Sequence, residues 1–403
     1  MYTPDFQSHQ RYTNSWKAVL QRAYGTNAVC LCPGHGAKQL AIKRRDASDE
    51  FHLARYPGSG AEHARDCRFY SEDPSKSGRQ SYTEDVIKED DTGSLRIRLG
   101  RGIQSRDQQQ EKQATTESSN SQPGIRKNTM SLLGLMHLLW SEAGLNVWYP
   151  AMGGKRSMSR VHYFLYQSAS RIISNRVVLS DVLLVAAGKD SQDAQRNATI
   201  WAEAVARKRR AVVISPLARY DVDKHGDALQ RLPLSGPFGM PYLKISEALW
   251  RKVQRSFAAE LSAWKKGSRV MAIAMAATDT KTASAQADVL DLALMRVSDR
   301  WIPLDSSHES TIEALLHAQE RSFEKPMRYD SESAVFPDFV LLDTLDEVPM
   351  EIYGMSTPEY LVRKAEKTAY YDLRYGAEGW WKWDATDGHN SPIPPFPPAR
   401  KAV

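Results

Sequence analysis

The residues best suited to chemistry fall in three groups. Near the N-terminus, "CLCPGH" at 30–35 and "EHARDC" at 62–67 hold all three cysteines of the chain. Cys30 and Cys32 are spaced C-x-C; His63 and Cys67 are four apart, a spacing that shares one face of a helical turn. Between them "AKQLAIKRR" and "EFHLARYPG" read as strands. Three thiolates and one imidazole complete a tetrahedral Cys3His zinc site, and four protein ligands leave no open position, so the zinc is structural. His35 and His52 are competing ligands. The plainer alternative is three core thiols and a surface histidine, but every cysteine clustering beside a histidine at ligand spacing favours zinc.

Far downstream, "FPDFVLLDTLDEVPMEIYGM" at 336–355 puts Asp338 and Glu351 into two apolar runs joined by an acidic turn. Such carboxylates are either solvated edge positions or a pair meeting across neighbouring strands. A meeting pair offers hard oxygens to Mg²⁺ or Mn²⁺. The third group is basic: Lys155, Arg156 and Arg160 at the start of a helix, placed to hold nucleic-acid phosphates or to form an ordinary solvated surface.

The elements around these groups follow from periodicity and breakers. With 403 residues, 41% hydrophobic and 25% charged, the chain has enough apolar residues for a sizeable core. Residues 1–103 read as a zinc-binding module, and 104–127, "QSRDQQQEKQATTESSNSQPG" within it, as a flexible linker with little to bury. Residues 128–175 read as a helical pair: one helix capped by Asn128 or Thr129, and a second with Val161, Phe164, Leu165 and Ile172 inward. A helix-turn-helix-like unit is the alternative reading of that pair. Residues 176–304 alternate apolar strands ("DVLLVAA", "AVVIS", "RVMAIAMAA", "ADVLDLALMRV") with helices, the longest being "SEALWRKVQRSFAAELSAWKKG". Residues 305–403 run helix, three strands, helix, strand, with Ser307 and Thr357 as helix caps.

Two resemblances attach to these motifs. The cysteine module with "HLARYPGSG" resembles an uncharacterised bacterial family marked by three cysteines near the N-terminus and associated with plasmids and integrative conjugative elements. That resemblance covers most of the chain and implies no established activity. The C-terminal order, with "PD" in its second strand and "E-x-Tyr" in its third, resembles the core of the PD-(D/E)XK nuclease superfamily. It implies a restriction-endonuclease-like α-β-β-β-α-β fold, Asp338 and Glu351 as ligands of a catalytic Mg²⁺ or Mn²⁺, and an assisting helix glutamate, Glu313 or Glu309. The family lysine belongs two residues after the glutamate, where this chain has Tyr353. Lys367 or Lys364, on one face of the next helix with Tyr360 and Tyr371, is the replacement.

The sequence therefore reads as an α/β multidomain protein: a zinc-bound module, a helical and α/β middle, and a nuclease-like C-terminal domain. The expected activity is metal-dependent phosphodiester hydrolysis on DNA, in maintenance or transfer of a mobile element. The alternative is a non-catalytic nucleic-acid-binding or DNA-transfer accessory protein with an inactive fold. A net charge of +6 suits a polyanionic partner. No apolar run is long enough to cross a membrane. Three cysteines and no evident secretory signal point to the cytoplasm. No G-x-G-x-x-G or phosphate-binding loop is present, which excludes the common nucleotide-binding folds that depend on one.

Overall fold

The structure is a computed structural model that describes residues 14–45, 50–65, 67–73, 76–90, 93–104, 127–226, 228–278, 285–331, 335–386 and 391–400. Most of the 104–127 segment lies outside the described residues. Its two ends do not: Gln104 bridges to Arg209, and the Lys127 N–H donates to the Ser81 carbonyl.

The described residues form a mixed α/β structure with eight α-helices and four sheets. The described residues begin with α1 (Asn14–Arg22) and the antiparallel strands β1 (Asn27–Val29), β2 (Gln39–Arg45) and β3 (Glu50–Arg55). Their core is small: Leu20, Cys30, Cys32, Leu40, Ile42, Leu53 and Phe69. Next come β4 (Ile87–Glu89) and β5 (Leu95–Ile97), whose Leu95 and Ile97 join a much larger core with residues from 130 to 329. Residues from Tyr82 to Ile103 thus share a core with residues beyond 130, while β1 to β3 bury a small one of their own.

Helix α2 (Leu132–Glu142) is capped by the Ser131 hydroxyl, which accepts from the Gly134 N–H; Asn128 and Thr129 lie before it. It is buried almost all round, and Trp140 donates its ring N–H to the Trp301 carbonyl. Then come β6 (Val147–Trp148) and α3 (Met158–Ala169), capped by Ser157. A helix-turn-helix joins its helices by three or four residues. Here a strand of another sheet sits between them, so the pair is not that unit. Ile172 belongs to β7 (Ile172–Ser174), not to α3, and β8 (Val177–Val178) follows in the sheet ordered β4-β5-β7-β8.

The central sheet is built from β9 (Leu183–Val185), β10 (Ala211–Pro216) after helix α4 (Gln192–Ala206), β11 (Tyr242–Lys244), β12 (Arg269–Ala276) and β13 (Gln286–Val297). Its order is β11-β13-β12-β10-β9. Val212 and Ile214 face one core while Ala211 and Val213 face the other, which is why β10 reads as an unbroken apolar run. The long helix expected over 246–267 is two, α5 (Glu247–Ser256) and α6 (Ala258–Lys265). They break at Phe257, whose backbone leaves the helical region as its ring packs against both cores.

The last segment runs α7 (Ser307–Ala318), β14 (Phe323–Glu324), β15 (Phe339–Leu341), β16 (Val348–Tyr353), α8 (Pro358–Tyr375) and β17 (Trp381–Asp384). Ser306, one residue before the expected Ser307, caps α7; Thr357 caps α8 with Pro358 at its first position. The sheet order is β17-β16-β15-β14-β6, with β14, β15 and β16 antiparallel in turn and β17 parallel to β16. One face packs Phe323, Phe339, Leu341, Met350, Ile352 and Trp383 against Ile312 and Leu316 of α7. The opposite face carries the acids.

Candidate functional site

The cysteine cluster is assembled by two loops pressed together. The Cys30 N–H pairs with the Lys38 carbonyl at 2.9 Å and closes the first loop. The second follows a short 3-10 turn at Gly60–Glu62, after which His63 is extended and Cys67 closes a turn on the Ala64 carbonyl. No α-helix carries His63 and Cys67; a turn brings them together instead. Gly34 allows the approach, since a Cβ there would lie 2.1 Å from the Glu62 carbonyl oxygen.

Cys30 Sγ lies 3.6 Å from Cys67 Sγ, Cys32 Sγ 3.6 Å from His63 Nδ1, and Cys67 Sγ 3.7 Å from His63 Nδ1. All four ligand atoms lie within 4.8 Å of one another. Sulfur and nitrogen at zinc-bond lengths around one tetrahedral centre sit about 3.5–3.8 Å apart, so the donor set fits such an ion. Burial, with Arg55 nearby, pushes His63 down to about 4, so the ring is neutral and Nδ1 can coordinate. Burial raises the Cys30 and Cys67 thiols, whereas backbone N–H groups of Ala64 and Gly34 hold Cys32 below its usual value against the effect of burial. The cluster can hold a metal such as zinc. His35 is exposed, and neither it nor His52 belongs to the cluster.

The carboxylate site lies across β15 and β16. Phe339 pairs with Met350, so one step beyond that register Asp338 stands opposite Glu351. Directly opposed residues of an antiparallel pair have Cβ atoms about 5 Å apart. Burial first, and then the Asp338 charge, push Glu351 up to about 7. Asp338 accepts from the Ile352 N–H at 2.9 Å and from Arg328 Nη2 at 3.0 Å. Lys367 Nζ sits 3.1 and 3.0 Å from the two Glu351 oxygens, and the Tyr371 hydroxyl donates to Glu351 at 2.8 Å.

A second tier lies beside this pair. Lys325 Nζ is 2.9 Å from Glu309 and 3.0 Å from Asp305, and Arg328 Nε is 2.6 Å from Asp305. Burial, together with Asp305, pushes Glu309 up to about 7 although Lys325 opposes the shift. Against the effect of burial, Lys325 and Arg328 hold Asp305 well below the usual carboxylate range. Sequence reasoning misses Asp305, Lys325 and Arg328; for the last two, charges inside the strand-like "FEKPMRYD" are the available signal.

Of the other expected residues, Glu313 is not beside the pair. Its carboxylate is taken by Ser298 Oγ at 3.0 Å and Arg300 Nε at 2.7 Å, anchoring α7 to the turn after β13. Glu309, one turn earlier, is the helix acid coupled to Asp338. Lys364 pairs with Asp384 rather than Glu351, and Tyr353 turns its hydroxyl to Thr368 Oγ1 at 3.2 Å. Lys155 and Arg160 are exposed. Arg156 is not a surface cation: its guanidinium donates to the carbonyls of Gly144, Leu145, Val147 and Arg300, and burial lowers its pKa to about 10.

The profile of a family described as a protein of unknown function (DUF1173) matches residues 5–386, and the chain belongs to that family. No curated protein and no solved structure matches the chain. Among the described residues, no helix is long and apolar enough to cross a membrane.

Proposed function

We propose that this member of a family without an assigned activity hydrolyses phosphodiester bonds in DNA with a divalent metal held by Asp338 and Glu351. The observation that carries the reading is the cross-strand pair itself: two buried carboxylates face to face at the centre of a helix–three strands–helix–strand order, with Lys367 on one of them. That order, with β14 to β16 antiparallel and β17 parallel to β16, supports a nuclease-like core. Two adjacent carboxylates are the donor set that Mg²⁺ or Mn²⁺ takes when substrate and water fill its remaining positions.

The bound ion supplies a polarised water and offsets charge on the phosphate. The chain's own groups do the rest. Lys367, 3.0 Å from Glu351, places an ammonium beside the reacting phosphate in the role of the lysine replaced by Tyr353. Tyr371 fixes the Glu351 carboxylate, and Arg328 fixes Asp338. Glu309 and Lys325 form a buried pair that holds the start of α7 against the site. The structural zinc belongs to the N-terminal loops. Maintenance or transfer of a mobile element is the setting in which we place the activity.

One observation favours a second reading, a nucleic-acid-binding protein with a silent site: both carboxylates are already matched by cations, Arg328 and Lys367. Purified protein incubated with labelled linear, nicked and single-stranded DNA, with Mg²⁺, Mn²⁺ or no added divalent ion, separates the two. Cleavage that needs the ion and disappears in Asp338→Asn and Glu351→Gln supports hydrolysis. Wild-type protein that binds DNA yet cuts none of these substrates with either ion overturns it in favour of the silent site.

A further inference from the structure

A cavity of about 870 Å³ opens between the metal module and α3, away from the carboxylate site. One wall is the module, with Phe51, Cys67, Arg68 and Tyr70; the other is α3 with the loop before it. The α3 wall is unusual in composition. Val161, Leu165 and Ala169 enter the core, while Arg160, Tyr163, Phe164 and Gln167, at spacings of three and four, line the cavity. Phe164 was expected to face inward; it is 41% exposed, and Tyr163 beside it is 38% exposed. Their rings meet edge to face at 5.4 Å.

The charge of the lining is one-sided. Glu142 is the only carboxylate among the described residues of the lining, and its side chain is fully committed: buried, with Arg79, Arg171 and Arg55 at 3.8, 3.7 and 3.9 Å. Lys155 and Arg160 are exposed and face no carboxylate among the described residues. A concave surface that pairs exposed cations with exposed aromatic faces matches a ligand that pairs phosphates with flat rings. In a duplex the base faces are stacked on one another and cannot reach such rings; in a single strand they can.

We infer that this groove holds an unstacked stretch of single-stranded nucleic acid, with phosphates on Lys155 and Arg160 and bases against Tyr163 and Phe164. The inference takes its class of partner from the nucleic-acid reading above and adds the strandedness and the surface. It also gives the metal cluster a task, since Cys67 is both a ligand and part of the wall. Arg65 of the same module reaches Glu324 of β14 and Glu347 of the β15–β16 turn, which ties the wall to the sheet carrying Asp338.

The test uses full-length Asp338→Asn protein, so that binding is read without cutting. Fluorescence anisotropy is followed with a labelled 20-nucleotide DNA strand, the RNA strand of the same sequence, the matching DNA duplex, and poly-glutamate as a polyanion without bases. Either single strand should bind at least tenfold more tightly than duplex or poly-glutamate, and the two strands separate DNA from RNA as its source. Tyr163→Ala with Phe164→Ala should weaken strand binding about tenfold or more and leave its salt dependence unchanged. Lys155→Ala with Arg160→Ala should weaken it and reduce the salt slope by about 1.4, the value for two lost phosphate contacts on a single strand. All four residues are exposed, and matching circular dichroism spectra and melting curves confirm an intact fold. Equal affinity for duplex and strand, or strand binding that ignores both double variants, overturns the inference. Cleavage lost in Asp338→Asn while strand binding persists leaves the groove intact and speaks only to the carboxylate site.

Discussion

The two candidate sites each bring acidic or thiol groups together across separate segments, but they are balanced in opposite ways. The carboxylate site is already neutralised by its own protein: Glu351 has Lys367 and Tyr371, Asp338 has Arg328, and Glu309 has Lys325. Among the described residues the cysteine cluster has no such set of ion-pair partners. Its sulfurs lie close to one another and to His63 Nδ1, and His63 Nε2 is buried without a hydrogen-bond partner. An ion at the carboxylate site would have to displace a cation that the protein already supplies. The other site gathers three sulfurs and a ring nitrogen that could hold an ion, beside a small core. Dependence of the fold on metal should therefore be confined to the first hundred residues, while dependence of activity on metal should lie in the last hundred.

The largest effect should come from emptying the cysteine cluster. Protein purified without chelator should carry one zinc per chain by elemental analysis, and Cys67→Ser should lose it. Hydrogen exchange should then show amides of β2 and β3 losing protection while β10 and β12 keep theirs, because metal binding to such sites is folding free energy. Gly34→Ala should weaken zinc retention in the same assay, since its methyl group would meet the Glu62 carbonyl. Correctly folded protein without a transition metal would remove the contrast between the sites.

An intermediate effect should distinguish the two lysines of α8. Lys367→Ala leaves a buried carboxylate without a partner that is itself partly exposed and should cost about 1–3 kcal/mol. It should also slow cleavage about a hundredfold or more if the ammonium acts on the phosphate. Lys364→Ala loses only a partly exposed pair with Asp384 and should cost about 0–1 kcal/mol with little effect on rate. Urea denaturation and single-turnover cleavage of both variants check this; equal behaviour would deny Lys367 a special place.

The smallest effect concerns pH. Burial pushes the Glu309 carboxyl up to about 7 in the fold from an ordinary value near 4.5. Folding therefore binds a proton between those values, and the contribution of this group to stability falls as pH rises from about 4.5 to 7. Glu309→Gln should be less stable overall, because Lys325 loses a partner, yet its denaturation midpoint should change less between pH 5 and 7.5 than that of the wild type. An unchanged slope would assign the titration to other groups.

The cysteine ligands were legible because their chemistry is rare: three thiols beside one imidazole leave few alternatives. The helix and strand order of 306–384 was legible because apolar runs are short and both ends of α8 carry strong signals in Thr357, Pro358 and Gly376. Three things were not. Arg156 reads as a surface cation, but its carbonyl partners come from loops up to 144 residues away. Glu309 and Glu313 lie one turn apart on the same helix, and only the position of Arg300 and Lys325 decides which meets the site. Phe164 fits the apolar period of α3 as well as any core residue does, and periodicity cannot show that the neighbouring surface is left open. The shared cores escaped for the same reason, since residues from Tyr82 to Ile103 meet residues beyond 130 only once folded.

The two-residue strand β6 has a consequence in time. Trp148 and Val147 pair with Phe323 and Glu324, so the edge of the sheet that carries Asp338 is supplied 175 residues before its partner. A chain growing at roughly 5–20 residues per second waits on the order of 10–35 seconds before that partner emerges. Throughout that interval the indole of Trp148, which ends among Ile302, Ile312 and Phe323, has no sheet to enter. A fragment beginning at residue 305 lacks the strand that closes its edge. Ribosome-stalled chains cut before residue 323 should engage chaperones that the released protein does not.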